Sequence, residues 1–277
     1  MGGENPYQDD RGNRDRSITA DGAGASVDVT RRDGPVAVSP GGPFLEGRAM
    51  TGGYGKSGPD ILHGCTIAVD RGEIAVIVGP NGAGKSTAMK ALFGMLDLRE
   101  GKVTLDGLDI TALTPQARVR AGMGFVPQTH NIFPTMTVEE NLEMGAFIRT
   151  DDYRGTMEQV YDLFPILKDK RRQNAGELSG GQRQQVAVGR ALMTQPKVLM
   201  LDEPTAGVSP IVMDELFDRI IEVARTGLPV LMVEQNARQA LEIADKGYVL
   251  VQGANAHTGT GKGLLADAEV RKSFLGG

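Results

Sequence analysis

The run Ile74-Ala-Val-Ile-Val78 contains no polar residue, and Gly79-Pro-Asn-Gly-Ala-Gly-Lys-Ser86 follows it directly. The apolar run has the length and composition of a buried strand, and the segment after it fits the pattern G-x-x-x-x-G-K-[ST] that opens a helix. Its glycines let backbone N–H groups turn inward around phosphate oxygens, and a helix N-terminus adds partial positive charge. We therefore predict a phosphate-binding loop leading into a helix from about Ser86 to Phe93.

The residue types of this loop indicate how it contacts a nucleoside triphosphate. Lys85 is expected to reach the β and γ phosphates, and Ser86 is expected to ligate Mg²⁺. The predicted nucleotide contacts of the loop are Gly79, Pro80, Asn81, Gly82, Ala83, Gly84, Lys85, Ser86 and Thr87. The loop alone leaves open which kind of nucleoside triphosphatase this is.

A second apolar run, Val198-Leu-Met-Leu201, ends in the two carboxylates Asp202 and Glu203. At the tip of a strand beside the phosphate-binding loop, Asp202 is expected to stand next to the Mg²⁺ shell, through a water molecule. Glu203 is placed to polarise the water that attacks the γ phosphate. We therefore predict Glu203 as the general base of a hydrolase and Asp202 as a metal-site residue.

Short apolar runs alternate with helical patterns from Phe44 onward, which predicts an α/β fold with a mainly parallel sheet covered by helices. Further strands are predicted at 123–126, 230–233 and 248–251. Between Thr137 and Leu178 the pattern is helical throughout, so we predict an inserted helical subdomain over about residues 129–178. Its expected core residues are Leu142, Met144, Val160, Leu163, Phe164 and Leu167.

Residues 1–43 differ in composition from the rest of the chain. They hold 8 Gly, 4 Pro and 12 charged residues, and 11 of the 43 residues are hydrophobic. Such a segment buries too little apolar surface to become ordered. We predict a disordered tail over residues 1–43 and one globular unit over residues 44–277.

The composition of the 277 residues excludes several kinds of site and partner. One Cys cannot form an internal disulfide or a thiolate zinc cluster. The histidines His63, His130 and His257 lie far apart in the chain, so we expect no protein-held transition-metal centre. A net charge of -5 gives no electrostatic footprint for nucleic acid. With no membrane-length apolar run and no leader pattern, we expect a chain that works in the cytoplasm.

Leu178-Ser-Gly-Gly-Gln182 precedes a predicted helix from about Arg183 to Thr194, and it offers a second anion site at a helix N-terminus. At this point the chain resembles the ATP-binding cassette (ABC) proteins, whose signature reads LSGGQ and follows a helical subdomain. The resemblance covers nearly all of residues 44–277. It implies a P-loop ABC ATPase cassette with an N-terminal antiparallel β part, and ATP and Mg²⁺ as ligands.

The same resemblance implies that the working unit is a dimer with two composite sites. The signature of one subunit closes over the γ phosphate held by the phosphate-binding loop of the other. The residues that the resemblance assigns to this contact are Leu178, Ser179, Gly180, Gly181 and Gln182.

Two further positions match the family in order along the chain. Gln128 resembles the glutamine that contacts Mg²⁺ and the attacking water and relays the nucleotide state toward the membrane subunit. Tyr54, 25 residues before Gly79, resembles the aromatic residue that stacks on adenine. The resemblance therefore adds Gln128 to the catalytic and metal-site residues and Tyr54 to the nucleotide contacts.

Two positions depart from the common family pattern. Gln235 stands where most ABC ATPases carry a histidine that contacts the γ phosphate, and Ser209 stands where many carry an aspartate in the loop that touches the opposite site. An amide donates a hydrogen bond to phosphate but carries neither a proton nor a charge. We expect Gln235 to be the catalytic γ-phosphate sensor, and activity to lack the histidine titration at about pH 6 to 7.

The segments around both departures, together with residues 132–141, are similar to the F-type ATPase subunit of branched-chain amino acid importers. That resemblance implies a related second ATPase subunit as partner, with a homodimer as the alternative, and two membrane permease subunits docked on residues 133–178. It also implies a solute-binding protein and a peripheral position on the cytoplasmic face of the cell membrane. Importers of urea and short amides are close relatives of this branch, so the solute stays open.

Three other function classes fit the sequence less well. A non-transport ABC ATPase acting on DNA or ribosomes usually has a coiled-coil insert, a duplicated cassette or a basic surface, and it is retained as an alternative. A P-loop kinase or GTPase needs an acceptor site or an Asn-Lys-x-Asp motif. A silent binding module has no need of Lys85, Asp202 and Glu203 together.

Overall fold

The computed structural model describes residues 42–55 and 57–274. Residues 1–41, which make up nearly all of the predicted disordered tail, lie outside the described residues. The first strand begins at Leu45, one residue after the predicted start of the globular unit.

The described residues contain ten β-strands arranged in two sheets. The strands are β1 (Leu45–Gly53), β2 (Leu62–Val69), β3 (Ile74–Val78), β4 (Asp97–Leu105), β5 (Leu108–Asp109), β6 (Met123–Val126), β7 (Val198–Asp202), β8 (Val230–Val233), β9 (Lys246–Val251) and β10 (Ala254–Gly259). A four-stranded antiparallel sheet has the order β2-β1-β4-β5. A six-stranded sheet has the order β10-β9-β3-β8-β7-β6, in which only the β9-β10 pair is antiparallel. The predicted fold class, including its N-terminal antiparallel part, is confirmed.

The described part of the chain also contains ten α-helices. They are α1 (Lys85–Leu92), α2 (Pro115–Arg120), α3 (Val138–Gly145), α4 (Arg154–Leu163), α5 (Pro165–Asp169), α6 (Gly180–Leu192), α7 (Pro210–Arg225), α8 (Ala237–Ile243), α9 (Gly261–Ala266) and α10 (Ala268–Phe274). A 3₁₀ turn spans Ala175–Glu177, just before α6.

The central strands of the six-stranded sheet are buried on both faces. Every residue of β3, β7 and β8 is buried, as expected for apolar runs in a parallel sheet that is covered on both sides. Alternate residues of β3 join two different cores: Val76 packs on the side of α6 and α7, whereas Ile77 packs on the side of α1 and the antiparallel sheet. Since β3, β8 and β7 are parallel neighbours, their carboxyl ends meet at one edge, which carries the candidate site.

The segment predicted to be helical from Thr137 to Leu178 contains α3, α4, α5 and the 3₁₀ turn, with non-helical connections at 146–153 and 170–174. Thr137 begins α3 with a capping box, because its hydroxyl accepts the N–H of Glu140 while the Glu140 carboxylate accepts the N–H of Thr137. Leu163, one of the predicted core residues, is partly buried. Four others are buried: Leu142, Val160, Phe164 and Leu167.

The prediction that Met144 belongs to this core is wrong. Met144 is 40% exposed because it lines an open apolar groove between α3 and α6. The helical period of α3 correctly marks an apolar face, and part of that face has no partner within the described chain.

Candidate functional site

The phosphate-binding loop connects β3 to α1 through a tight turn. Gly79, Gly82 and Gly84 have φ angles of 145°, 78° and 93°, which glycine adopts without the steric penalty of a Cβ atom. A Cβ atom on Gly79 would stand 2.2 Å from the carbonyl oxygen of Leu250. The loop therefore approaches the neighbouring backbone closely and delivers the chain into the N-terminus of α1, where free backbone N–H groups favour an anion.

Lys85 is the first residue of α1 and bends back over the loop. Its side chain is 6% exposed, and Nζ donates to the carbonyl oxygens of Gly79 at 2.9 Å and Pro80 at 3.2 Å. Burial lowers the pKa of Lys85, and the nearby carboxylates of Glu203 and Asp202 oppose that shift. The ammonium group is thus held by neutral acceptors that phosphate oxygens can replace.

Ser86 and Asp202 are joined directly across the site. The Ser86 hydroxyl donates to Oδ1 of Asp202 at 2.8 Å. Asp202 is the last residue of β7 and is 5% exposed. Burial raises the pKa of its carboxyl, while the Ser86 hydroxyl and the charges of Lys90 and Lys85 oppose the rise. This pair presents two oxygen donors at the start of α1, the ligand chemistry that Mg²⁺ prefers.

Glu203 follows β7 with a φ of 50°, a conformation that few residues other than glycine adopt. Its N–H donates to the carbonyl oxygen of Val233 at 3.0 Å, which fixes the turn against β8. Oε2 of Glu203 accepts a hydrogen bond from Nε2 of Gln128 at 2.7 Å. One edge of the sheet therefore carries five predicted site residues: Lys85, Ser86, Gln128, Asp202 and Glu203.

Gln235 lies after β8 with an exposed side chain. Its backbone N–H donates to Oε2 of Glu234 at 3.1 Å. The Glu234 carboxylate is 1% exposed, and its Oε1 accepts from the N–H of Thr205 at 3.1 Å and from the Thr205 hydroxyl at 2.8 Å. Burial raises the pKa of Glu234, and these hydrogen bonds oppose the rise. Glu234 is not among the residues predicted for the site, although an acidic residue at the end of an apolar strand is the same signal that identified Asp202.

The signature segment lies at the start of α6, which begins at Gly180 rather than near Arg183. Ser179 caps this helix: its hydroxyl accepts the N–H of Gln182 at 3.3 Å, and the Gln182 side chain accepts the N–H of Ser179 at 3.2 Å. This capping box starts the helix immediately after Ser179, so both glycines fall in its first turn.

The residues of the signature segment 178–182 differ in exposure and packing. Leu178 is buried, whereas Ser179 is exposed. A Cβ atom on Gly181 would stand 2.0 Å from Cγ1 of Val212, because α6 packs closely on α7 there. Among the described residues, no hydrogen bond joins this segment to the phosphate-binding loop of the same chain.

Tyr54 follows β1 and is 48% exposed. Nζ of Lys90, on α1, lies 5.9 Å from the centre of its ring, so the ring stands on the same side of the molecule as α1. Arg99 of β4 donates to the carbonyl oxygens of Gly55 and Gly58 and pairs with Asp60. Arg99 therefore fastens the segment that carries Tyr54, a role for which the sequence contains no motif.

An apolar groove lies between the loop before α3, the end of α3 and the middle of α6. Its exposed side chains are Phe133 (40%), Met144 (40%), Phe147 (80%) and Ile148 (47%). The guanidinium carbon of Arg190 lies 5.0 Å from the centre of the Phe133 ring. A contiguous exposed apolar patch with a polar rim is typical of an interaction surface.

Ser209 precedes α7 at its N-cap position and makes no side-chain capping bond. Across residues 42–55 and 57–274, no three His, Cys, Asp or Glu side chains are grouped so as to hold a metal ion. In the same residues, no helix is both long enough and apolar enough to cross a membrane.

Comparison with known proteins places these features in a family. Residues 62–206 match the family described as ABC transporter. The chain is 43% identical to the high-affinity branched-chain amino acid transport ATP-binding protein BraG of Pseudomonas aeruginosa, covering 81% of this chain and 96% of BraG. It is 41% identical to a probable branched-chain amino acid transport ATP-binding protein, LivF of Archaeoglobus fulgidus, covering 78% and 92%. It is 35% identical to the lipopolysaccharide export system ATP-binding protein LptB of Haemophilus influenzae, covering 78% and 91%.

A solved structure shares the same architecture. The ADP conformation of MJ1267, an ATP-binding cassette of an ABC transporter, aligns with a TM-score of 0.74 at 31% identity. The alignment covers 84% of this chain and 99% of MJ1267, so the likeness includes nearly the whole of that cassette.

Proposed function

The chain belongs to the ABC transporter ATP-binding proteins, ATPases that work with membrane permease subunits, and we propose that it powers the import of branched-chain amino acids. The observation that carries the solute is the likeness of the chain to BraG and LivF over about four fifths of its length, since both names specify branched-chain amino acid transport. The direction rests on the resemblance of the sequence to the importer branch. The segments around Gln235 and Ser209, which resemble the same branch, support the proposal.

We propose that hydrolysis uses the cluster at the ends of β3, β6, β7 and β8. Glu203 acts as the general base, and Gln128, already bonded to its carboxylate, helps to orient the attacking water. Lys85 neutralises the β and γ phosphates in place of its present bonds to the loop carbonyls. Gln235 donates from its amide to the γ phosphate.

Mg²⁺ fits the oxygen donors of this cluster. Ser86, Asp202 through water, and the amide oxygen of Gln128 are the residues proposed to hold it, and Ser86 and Asp202 are already in hydrogen-bond contact. When bound, the ion would neutralise part of the negative charge of the phosphates during hydrolysis.

The nucleotide site is proposed to be completed by Tyr54 and by a second cassette. The exposed Tyr54 ring is free to stack on adenine, and the segment 178–182 of a partner cassette closes over the γ phosphate. The exposed Ser179 cap at the start of α6 supports this role, because a helix N-terminus presents free N–H groups outward. ATP then favours the closed dimer and ADP does not. This difference in binding couples the nucleotide to the conformation of the transporter.

The partners and the membrane position follow from the same proposal. The groove formed by Phe133, Met144, Phe147 and Ile148 is proposed to receive the permease subunits, because its apolar side chains are uncovered in the chain alone. We propose a related ATPase subunit, two permeases and a solute-binding protein as the assembly, at the cytoplasmic face of the cell membrane. Residues 1–43 are proposed as a tail, and residues of about 129–178 as the helical subdomain of a cassette over 44–277.

The experiment that tests the solute is uptake of labelled leucine, isoleucine and valine in cells lacking the gene. Wild-type chain should restore uptake, and Glu203→Gln, which removes the proposed base, should not. Labelled urea and short amides are measured in the same cells, because importers of these solutes belong to a related branch. Restored urea uptake with unchanged leucine uptake would contradict the branched-chain proposal.

A second candidate function comes from the likeness to LptB, whose name specifies lipopolysaccharide export. Purification of the complex through a tag on this chain distinguishes the classes of partner. Two permease-like chains and a second cassette support transport, whereas ribosomes or DNA point to the non-transport alternative. Measuring the amount of lipopolysaccharide at the surface of the deletion strain then distinguishes lipopolysaccharide export from amino acid import.

A further inference from the structure

The carboxylate of Glu234 joins two loops of the site that are far apart in the chain. Oε1 accepts from both the backbone N–H and the hydroxyl of Thr205, in the turn that follows the catalytic strand β7. Oε2 accepts from the backbone N–H of Gln235, at the end of β8. One side chain therefore holds the turn after Glu203 and the Gln235 loop in a fixed relation to each other.

The backbone around Glu234 connects the same point to the phosphate-binding strand. The N–H of Glu234 donates to the carbonyl oxygen of Ile77 on β3 at 3.1 Å. The N–H of Glu203 donates to the carbonyl oxygen of Val233, the residue before Glu234, at 3.0 Å. Backbone hydrogen bonds close to this carboxylate therefore connect the ends of β3, β7 and β8. These strands lead to the phosphate-binding loop, to Glu203 and to Gln235, respectively.

Burying an ionisable group at this point is costly unless its hydrogen-bonding capacity is used. Glu234 is 1% exposed, and its two oxygens receive three donors, two of them backbone N–H groups on opposite oxygens. An isosteric amide cannot replace it, because one of its two positions is an NH₂ group that would face an N–H donor. The geometry specifically requires an acceptor at both positions.

We propose that Glu234 is a positioning residue for ATP hydrolysis. Its carboxylate holds the Gln235 loop and the Thr205 turn in the relative position that turnover requires. This proposal rests on the proposed roles of Glu203 and Gln235. Glu234 does not touch the nucleotide in this scheme. A shift of Gln235 on contact with the γ phosphate is carried through the carboxylate to Thr205, and from there along the turn toward Ser209.

The test is Glu234→Gln in the membrane complex purified through a tag on this chain. We expect kcat to fall about tenfold or more while the affinity for ATP stays within about twofold, since the change acts on the arrangement around the reaction and leaves the phosphate-binding loop intact. Amide hydrogen exchange should rise in the peptides that contain Thr205 and Gln235. The matched control is Asp245→Asn, which alters a carboxylate that accepts the N–H of Ile74 at the opposite end of β3. That control should leave kcat unchanged.

Thr205→Val, which removes the hydroxyl but keeps the shape, provides a second and independent variant. If both residues act through one link, the double variant should lose no more in kcat than the worse single variant, whereas independent effects multiply. Thr205→Ser should retain activity. Wild-type kcat in Glu234→Gln would overturn the proposal even if the thermal midpoint falls, and multiplicative losses in the double variant would overturn it as well.

The kinetic measurements on these variants do not depend on the proposed transport function. They use ATP without a transported solute, so they can be interpreted even if the amino acid uptake experiment fails. Glu203→Gln is assayed in parallel: normal hydrolysis in that variant would refute the assignment of the base, and it would overturn the positioning role that depends on it.

Discussion

The side-chain amide of Gln128 donates a 2.7 Å hydrogen bond to Oε2 of Glu203, 75 residues further along the chain. The loop after β6 thereby reaches across to the carboxylate that follows β7. The bond orients the carboxylate and occupies one of its oxygens, which leaves Oε1 to accept a proton from water. The glutamine proposed to relay the nucleotide state toward the permease is thus in direct contact with the proposed base.

Glu203→Gln should abolish turnover without preventing ATP binding. The amide keeps the volume of the side chain but cannot accept a proton, and loss of a general base costs about 100-fold or more. Steady-state hydrolysis and equilibrium binding of a fluorescent ATP analogue measure the two effects separately. Glu222→Gln, on the exposed pair that Glu222 forms with Arg219 on α7, is the control. Native-rate hydrolysis by Glu203→Gln would remove Glu203 from the mechanism.

Asp202→Asn should stabilise the nucleotide-free chain at neutral pH. Burial raises the pKa of Asp202 above its ordinary value of 3.8, so the native state holds this proton more tightly than the unfolded chain does. The ionised carboxylate therefore costs stability at pH values above its folded pKa, and that cost disappears as the pH falls toward the unfolded value. Asparagine removes the cost while its side-chain oxygen still accepts from Ser86.

Tm at pH 7.5 should therefore be higher in the variant than in wild type, by about 2–4 °C for each kcal/mol gained in a domain of this size. The gain should shrink once the pH falls below the raised pKa of Asp202 and should become small as the pH approaches 3.8, as measured by thermal unfolding without nucleotide and Mg²⁺. Asp218→Asn, at an exposed position on α7, serves as the reference. A variant that is less stable than wild type at every pH would show that the attraction of Lys85 and Lys90 outweighs burial.

The elements that could be predicted are those encoded in contiguous residues. The strand 74–78, the glycine loop after it and the capped start of α6 are set by local pattern and backbone chemistry, so the sequence locates them to within a few residues. The same local pattern fails where an apolar face stays uncovered within the described residues. Met144 has the helical spacing of a core residue, and periodicity alone cannot distinguish a face that packs within the chain from one that packs on another protein.

The contacts of Glu234 could not be predicted for a different reason. Thr205 and Glu234 are 29 positions apart, and their contact depends on the pairing of β7 with β8 and on the turn that follows Glu203. Sequence identifies Asp202 because a second motif, the phosphate-binding loop, gives that carboxylate a partner. No second motif points to Glu234, so only the three-dimensional arrangement reveals what it binds.

Arg99→Ala should weaken nucleotide binding without slowing hydrolysis at saturation. Arg99 fastens the segment after Tyr54 through the carbonyl oxygens of Gly55 and Gly58 and the carboxylate of Asp60, so its removal frees the ring proposed to stack on adenine. We expect the KM for ATP to rise about three- to tenfold while kcat is unchanged. A rise of this size corresponds to weakening one aromatic stacking contact, which is worth about 0.5–1.5 kcal/mol. Arg48→Ala on β1, whose arginine pairs with Glu46, is the control. A fall in kcat with constant KM would contradict this account.

Gln235→His should introduce a pH dependence that the wild-type chain lacks. The amide of Gln235 does not titrate, whereas an imidazole at this exposed position has an ordinary pKa of about 6.5 and gains a charge below it. Since the imidazolium attracts the γ phosphate, the ratio of kcat/KM in the variant to that in wild type should rise as the pH falls from 8 to about 5.5. The ratio cancels any pH dependence that the variant shares with wild type. Gln235→Asn keeps an uncharged amide and should give a ratio that does not change with pH, and Gln235→Ala should lower turnover. A flat ratio for Gln235→His together with full turnover in Gln235→Ala would show that the residue does not contact the γ phosphate.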